Sequence, residues 1–256
     1  MKKETIAMIK KHLATVHDVK DERLAYWSED GRAGVQAAVQ SCRRRIAKAE
    51  EEQQRLFHIM SYEREAVRNG RKFIAGIDEA GRGPLAGPVV AAACILPEGF
   101  LPEGMNDSKK INESVRNELF ALISEKAYVG VGIISAEEID QINIYEAAKK
   151  AMVQAVQALP QQPDHLLVDA MTLPLPISQQ SIIKGDAKSA SIAAASIIAK
   201  VTRDRLMKQY AIDFPGYGFE KNMGYGTKDH LQGLAALGVT PQHRRTFAPV
   251  RQTITR

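Results

Sequence analysis

Cysteine is scarce in this 256-residue chain: only Cys42 and Cys94 occur, and Cys94 sits inside the apolar run VVAAACIL. A disulfide framework is therefore not expected, and a reducing setting with free thiols is. No run of 18 or more uncharged apolar residues occurs, so no transmembrane helix is expected. In MKKETIAMIKKHLATVHDVKDE charges interrupt the apolar positions too soon for a secretory h-region, which points to a cytoplasmic protein. Aromatic residues make up only 6%, too few to spread base stacking over a whole surface. Neither GxxxxGK[ST] nor GxGxxG is present, so a nucleotide-binding P-loop is not supported. No internal repeat suggests a solenoid or fibre.

What is present has the balance of an ordinary globular protein, 45% hydrophobic and 25% charged. Lys plus Arg total 35 against 30 acids, a net charge of +5. That is a mild bias toward polyanionic partners and well short of a histone-like charge.

Residues 1–70 contain 14 Lys/Arg, 11 Asp/Glu and no proline. Ile6, Ile9, Leu13 and Val16 predict a short amphipathic helix, and the apolar spacing from Val35 to Asn69 predicts a long one. The triplet Arg43-Arg44-Arg45 followed by Glu50-Glu51-Glu52 reads either as a phosphate-facing patch or as a solvated helix face. Asn69-Gly70 is a turn signal, after which the character changes. KFIAGI and VVAAACIL, split by a Gly/Pro loop, predict an antiparallel strand pair. A helix at 112–126, a strand at 128–134, helical pattern at 143–158, strands at 165–169 and near 181–184, and a long helix over 187–212 follow. A last helix is predicted at 228–237. Clustered strands followed by alternating strands and helices make an α/β domain with a mixed sheet. Two domains result: a helical accessory module at 1–70 and a second domain at 71–256. Lys221 to Arg256 holds six Lys/Arg and one acid, Asp229.

Four carboxylates stand out by place. Asp78 and Glu79 follow the first strand of the second domain, Asp169 ends HLLVD, and Asp186 opens the long helix. Strand ends and helix N-termini are where α/β sheets put ligands. Acids gathered from separate strands repel one another, and without a His/Cys cluster the natural partner is Mg2+ or Mn2+ rather than Zn2+. Such a group suits two-metal phosphoryl hydrolysis. Asp186 reads equally as an N-cap and Asp169 as a turn residue, and spacing alone does not make the four converge. Beside them, Gly81 and Gly83 let backbone amides approach a ligand, and Arg82 offers a charge for phosphate. A plain Gly-rich hairpin turn is the alternative.

The string GIDEAGRGPLAGPVV (Gly76 to Val90) resembles the signature of bacterial ribonuclease HII, a type 2 RNase H. DSKK (Asp107 to Lys110), LLVDA (Leu166 to Ala170), KGDAKSASIAAASIIAKVTRD (Lys184 to Asp204), GYGT (Gly224 to Thr227) and HRRTF (His243 to Phe247) follow in order. The resemblance covers about residues 71–248. It implies an RNase H-like fold, a five-stranded mixed sheet flanked by helices with a helical C-terminal extension. It also implies that Asp78, Glu79, Asp169 and Asp186 are catalytic and hold two Mg2+ or Mn2+ ions with substrate. Asp78 and Asp169 would bridge the metals. Gly81, Arg82 and Gly83 would read the ribose 2′-hydroxyl, Tyr225 would stack on the adjacent sugar, and Lys109 would contact phosphate. Lys184 and Lys221 are weaker phosphate candidates. His230 and His243 fit the family pattern in a structural or phosphate-contact role, and Ser189, Ser191 and Ser196 are expected to serve packing alone.

The activity so implied is endonucleolytic hydrolysis of RNA paired with DNA. It includes cuts 5′ of single ribonucleotides in duplex DNA, leaving 3′-hydroxyl and 5′-phosphate ends. The expected partners are RNA–DNA hybrid and ribonucleotide-containing duplex DNA, with no membrane and a monomer as the default. Ribonuclease HIII, the nearest relative, also carries an N-terminal extension and would cut long hybrids only. GIDEAGRGPLAGP and Asp186 favour HII. A hybrid-binding protein without turnover is the rival of another class, and four uncompensated carboxylates argue against it.

Overall fold

A computed structural model of the chain describes residues 4–102, 104–105 and 111–254. The DSKK string, and with it Lys109, lies outside the described residues. Two compact units divide the chain, Met1–His58 and Ile59–Arg256.

The first unit holds α1 (Ile6–Ala14), α2 (Glu22–Ser28) and nearly all of α3 (Ala33–Ile59). Its small core gathers Ile9, Leu13, Val16, Leu24, Trp27, Val35, Val39, Cys42 and Ile46. Helix α2 was not expected from apolar periodicity. Asp21 starts it by accepting the Arg23 N–H at 2.9 Å, and Leu24 and Trp27, three apart, form its one buried stripe. Of the arginine triplet, Arg45 donates to the carbonyls of Leu13 and Val16, so it ties α1 to α3. Arg43 donates to Ser28 Oγ, and Arg55 pairs with Glu52 one turn away. The triplet is thus partly spent on internal structure.

The helix expected to run to Asn69 breaks at Met60, and α4 (Ser61–Arg68) begins the second unit's helices. From there the chain forms β1 (Ile74–Ala80), β2 (Val89–Ile95), α5 (Glu113–Lys126), β3 (Tyr128–Ile134), α6 (Ala136–Ile142), α7 (Ile144–Gln157), β4 (His165–Asp169) and β5 (Ser178–Ile182). A single 3-10 turn, Gly185–Ala187, leads into α8 (Ala190–Asp213), and α9 (Phe219–Asn222), α10 (Lys228–Leu237) and α11 (Ala248–Ile254) close the chain.

The strands make one mixed five-stranded sheet in the order β3-β2-β1-β4-β5. As expected, β1 and β2 pair antiparallel; β2–β3 is also antiparallel, while β1–β4 and β4–β5 are parallel. Because side chains alternate across a strand, β1 sends Ala75 and Ile77 to one face and Gly76 and Asp78 to the other. The first face packs on the small residues of α7, Ala147, Ala148, Ala151 and Ala155. The second packs on α8, whose Ala193, Ala194, Ile197 and Ile198 meet Ala92 and Cys94. Two close approaches need glycine. A Cβ on Gly76 would fall 2.0 Å from the Ser191 backbone, and one on Gly132 would fall 2.0 Å from the Ala151 carbonyl oxygen. Both long helices therefore lie directly on the sheet.

Glu63 on α4 anchors α8. Its Oε1 accepts from Ser189 Oγ (2.6 Å), Ser191 N (2.9 Å) and Ser191 Oγ (2.7 Å), all buried. An acid at a helix N-terminus satisfies orphan donors and meets the positive end of the dipole. Ser189 and Ser191 thus hold a carboxylate in addition to packing.

Candidate active site

The register of the parallel pair brings the first acids together. Ile77 lies opposite Val168, so the next residue on each strand, Asp78 on β1 and Asp169 on β4, stands beside the other on the α8 face. Glu79 follows directly. One carboxylate oxygen from each of Asp78, Glu79 and Asp169 lies within 4.8 Å of the other two.

Each acid is held. Asp78 is buried; its Oδ1 accepts the Glu79 N–H at 2.7 Å, and it accepts a further bond from the Ser196 side chain of α8. Asp169 Oδ1 accepts the Gly185 N–H at 2.7 Å, which ties β4 to the 3-10 turn carrying Asp186. Asp186 is buried in that turn; it belongs to the neighbourhood through Gly185 but is not among the three mutually close carboxylates. Glu79 Oε1 lies 3.3 Å from the exposed Arg82 guanidinium, while its buried Oε2 has no hydrogen-bond partner among the described residues.

Burial pushes the Asp78 carboxyl well above the ordinary carboxylate range, and the charges of Glu79 and Asp169 push it further. Burial raises Glu79 too, with Arg82 pulling against it. Crowded, desolvated carboxylates with one orphaned oxygen are short of positive charge. An all-oxygen donor set at this spacing fits a hard divalent cation such as Mg2+ or Mn2+.

The Gly-rich loop begins where β1 ends. Gly81 adopts φ 95°, a left-handed conformation that glycine takes without a Cβ penalty, and a Cβ there would fall 2.1 Å from Arg203 Nε. Gly83 and Arg82 are exposed. Across from them Tyr225 is 48% exposed, so its ring does not plug the core, and a Cβ on Gly83 would lie 3.6 Å from Tyr225 Cε1. The structure therefore brings together Asp78, Glu79 and Asp169, sets Asp186 behind Asp169, and faces the Gly81–Gly83 loop toward Tyr225. Lys184 and Lys221 are exposed, while His230 and His243 are buried.

Four residues were not singled out for such roles in the sequence: Glu63, Ser196, Arg203 and Arg244. Arg203 and Arg244 are fully buried and donate to backbone carbonyls behind the Gly-rich loop. Burial lowers their guanidiniums, to about 10 and about 9, still charged at neutral pH. One signal was available: Ser189, Ser196 and Arg203 recur at intervals of seven, which places them along one face of α8.

Comparison with known proteins follows the same outline. A family model described as Ribonuclease HII matches residues 75–250, and one described as Ribonuclease HII N-terminal domain matches residues 5–67. Ribonuclease HII of Enterococcus faecalis is 55% identical over 255 residues, 99% of this chain and 100% of that one. Ribonuclease HII of Bacillus subtilis is 55% identical over 248 residues, 96% and 97% of the two chains. Among solved structures, the ribonuclease H2 of Pyrococcus horikoshii superposes with a TM-score of 0.62 at 28% identity, covering 71% of this chain and 97% of the other.

Proposed function

Because the chain belongs to the ribonuclease HII family and is a ribonuclease H acting on RNA–DNA hybrids, we propose that it also cuts duplex DNA 5′ of a single embedded ribonucleotide. The products would be a 3′-hydroxyl and a 5′-phosphate. The observation that carries this reading is the approach of the Gly81–Gly83 loop to Tyr225 within a few residues of the acid cluster. A slot between backbone and an aromatic ring accepts one sugar, so it can test one nucleotide rather than a stretch of helix. The 2′-hydroxyl is the mark that separates RNA from DNA at such a site.

In this reading Asp78, Glu79, Asp169 and Asp186 hold the divalent ions, Mg2+ or Mn2+. When bound, two such ions supply Lewis-acid chemistry, activating water and stabilising the leaving 3′-oxygen. The chain's own residues do the rest. Gly81 and Gly83 present backbone groups to the 2′-hydroxyl, Arg82 sets a positive charge beside the phosphate, and Tyr225 stacks on the neighbouring sugar. Lys109, carried over from the family motif, contacts phosphate. Ser196 and the Glu79 N–H orient Asp78. The 2′-hydroxyl is recognised and not used as the nucleophile. We also read the N-terminal helices as an affinity module for the polyanionic duplex, on the strength of their net +3 over residues 1–70.

The test is a DNA duplex carrying one ribonucleotide, incubated with Mg2+, Mn2+ or EDTA, with the cut mapped to the nucleotide. A metal-dependent cut just 5′ of the ribonucleotide with a 5′-phosphate product is expected. Cleavage of long hybrid alone would assign an HIII-like preference, and a 2′,3′-cyclic phosphate would refute the mechanism. Asp78→Asn should abolish cleavage while hybrid binding survives; binding without a cut in either substrate by the unaltered chain would leave a hybrid-binding protein.

A further inference from the structure

The two loops that face one another at the sugar slot, Gly81–Gly83 and Gly224–Gly226, lie outside every strand and helix, yet the slot requires a fixed gap between them. One short segment behind them, Thr240–Arg244, reaches both.

Toward the Gly-rich loop it sends Arg244. This guanidinium donates through Nε and Nη2 to the Gly87 carbonyl (3.0 and 2.8 Å), through Nη1 to Arg82 O (2.9 Å), and through Nη2 to Gly81 O (2.5 Å). The backbone adds Arg244 N to Leu85 O and Gly87 N to Gln242 O, both 2.8 Å, around the isolated bridge of Ala86 with His243. Among the described residues no carboxylate lies within ion-pair distance of Arg244, so its planar fork is given over to loop carbonyls. Only a guanidinium has this many donors in a fixed geometry.

Toward the tyrosine loop it sends His243. The Thr240 N–H donates to His243 Nδ1 at 2.9 Å, so that nitrogen must accept. His243 Nε2 therefore carries the proton and donates to His230 Nε2 at 3.1 Å. His230 Nδ1–H is then left to donate to the Tyr225 carbonyl at 2.9 Å. The proton order along the chain is fixed end to end by one backbone N–H. Tyr217 and Phe219 pack on both imidazoles, with ring centroids 5.0 to 6.4 Å away, and keep the relay dry.

We propose that Thr240–Arg244 is a bracket that sets the gap between the Gly81–Gly83 loop and Tyr225, with Arg244 and the His230–His243 pair as positioning residues for ribonucleotide preference. This role rests on the reading of the two loops as contacts to the ribose. Neither the guanidinium nor the imidazoles touch substrate; they determine where the groups that do touch it are held.

The measurement is binding preference in the full-length Asp78→Asn protein with Mg2+: the ratio of Kd for an all-deoxy duplex to Kd for the same duplex with one ribonucleotide, by fluorescence anisotropy. Arg244→Lys keeps the charge and loses the fork. It should lower that ratio about tenfold, equivalent to one good hydrogen bond at the ribose (~1.4 kcal/mol), with the all-deoxy Kd unchanged. His230→Asn keeps a donor at the Nδ1 position and should retain most of the preference. His230→Gln keeps a group only at the Nε2 position and should lose it. A loss of packing alone would affect the two His230 variants alike and would not move a ratio. If Arg244→Lys does not fold, the two His230 variants decide. Retained preference in Arg244→Lys and His230→Gln overturns the bracket. Absence of any preference in Asp78→Asn itself overturns the ribose reading, and the bracket with it.

Discussion

Asp78→Asn should make the metal-free protein more stable while it abolishes activity. Asp78 is buried, and its carboxylate faces those of Glu79 and Asp169 within 4.8 Å. At an effective dielectric of about 20, each such pair of charges costs about 3 kcal/mol. Proton uptake caps the cost. The folded Asp78 carboxyl titrates well above its ordinary 3.8, so at any pH the penalty cannot exceed about 1.4 kcal/mol for each pH unit above that value. The ceiling is about 4 kcal/mol at pH 7 and less than about 2 at pH 5. The sign is that of a carboxyl raised by folding: the folded state holds a proton the unfolded state has lost, so stability falls as pH rises above 3.8. Asparagine keeps an oxygen for the Glu79 N–H and removes the charge. Thermal unfolding in EDTA should therefore place Asp78→Asn above wild type at pH 8, by roughly 5–10 °C for a chain of this size, with the gap closing toward pH 5. Saturating Mn2+ should reverse the order, because wild type gains more from the ion. A variant less stable than wild type in EDTA at pH 8 would refute the reasoning about charge crowding.

Three further outcomes follow from the packing. Glu63→Ala strands two buried hydroxyls and the Ser191 N–H at the start of α8, and should cost about 3 kcal/mol in urea unfolding; a loss below about 1 would deny Glu63 its anchoring role. Burial and its neighbour His230 lower His243 to about 4, so its imidazole stays neutral where an unfolded histidine charges. Its contribution, about 2 kcal/mol once solvent screening is allowed for, is present above pH 6.5 and is lost as pH falls from 6.5 toward 4. Nitrogen NMR should show the Nε2-protonated tautomer of His243 down to about pH 4.5; titration near 6.5 would contradict the relay. Truncation after His58 should raise KM for hybrid and flatten its salt dependence with kcat little changed. Truncation through Gly70 should in addition cost the Glu63 anchor and show as a lower Tm. An unchanged KM and salt slope in the first would remove the affinity role of the N-terminal helices.

The two buried arginines hold the loop proposed to read the ribose. Gly81, Gly83 and the buried Gly87 supply no side chains to hold that loop in place. Arg203 and Arg244 take over that task from behind, donating to the carbonyls of Gly81, Arg82, Ala86, Gly87 and Pro88. Because those carbonyls are neutral, the two charges are not cancelled, and they lie beneath a surface expected to meet phosphate.

Much of the protein was legible from the order of its residues. Short apolar runs between turn signals marked β1, β2 and β3, and the pattern over 187–212 marked the long helix α8. Asp78, Glu79 and Asp169 were marked by standing at strand ends, because a strand exposes its last side chains where the sheet stops. These are local signals, carried by spacing within one element. The sequence left α2 and the break at Met60 unmarked, since one is a seven-residue helix with two apolar anchors and the other has no proline or glycine to announce it. Only the tertiary structure decided that Asp78 and Asp169 stand side by side, because that depends on parallel register between strands some ninety residues apart. It alone turned Glu63, Arg203, Arg244 and the His230–His243 pair inward. A buried polar side chain is defined by its partners, and those partners come from elements that the chain brings together only on folding.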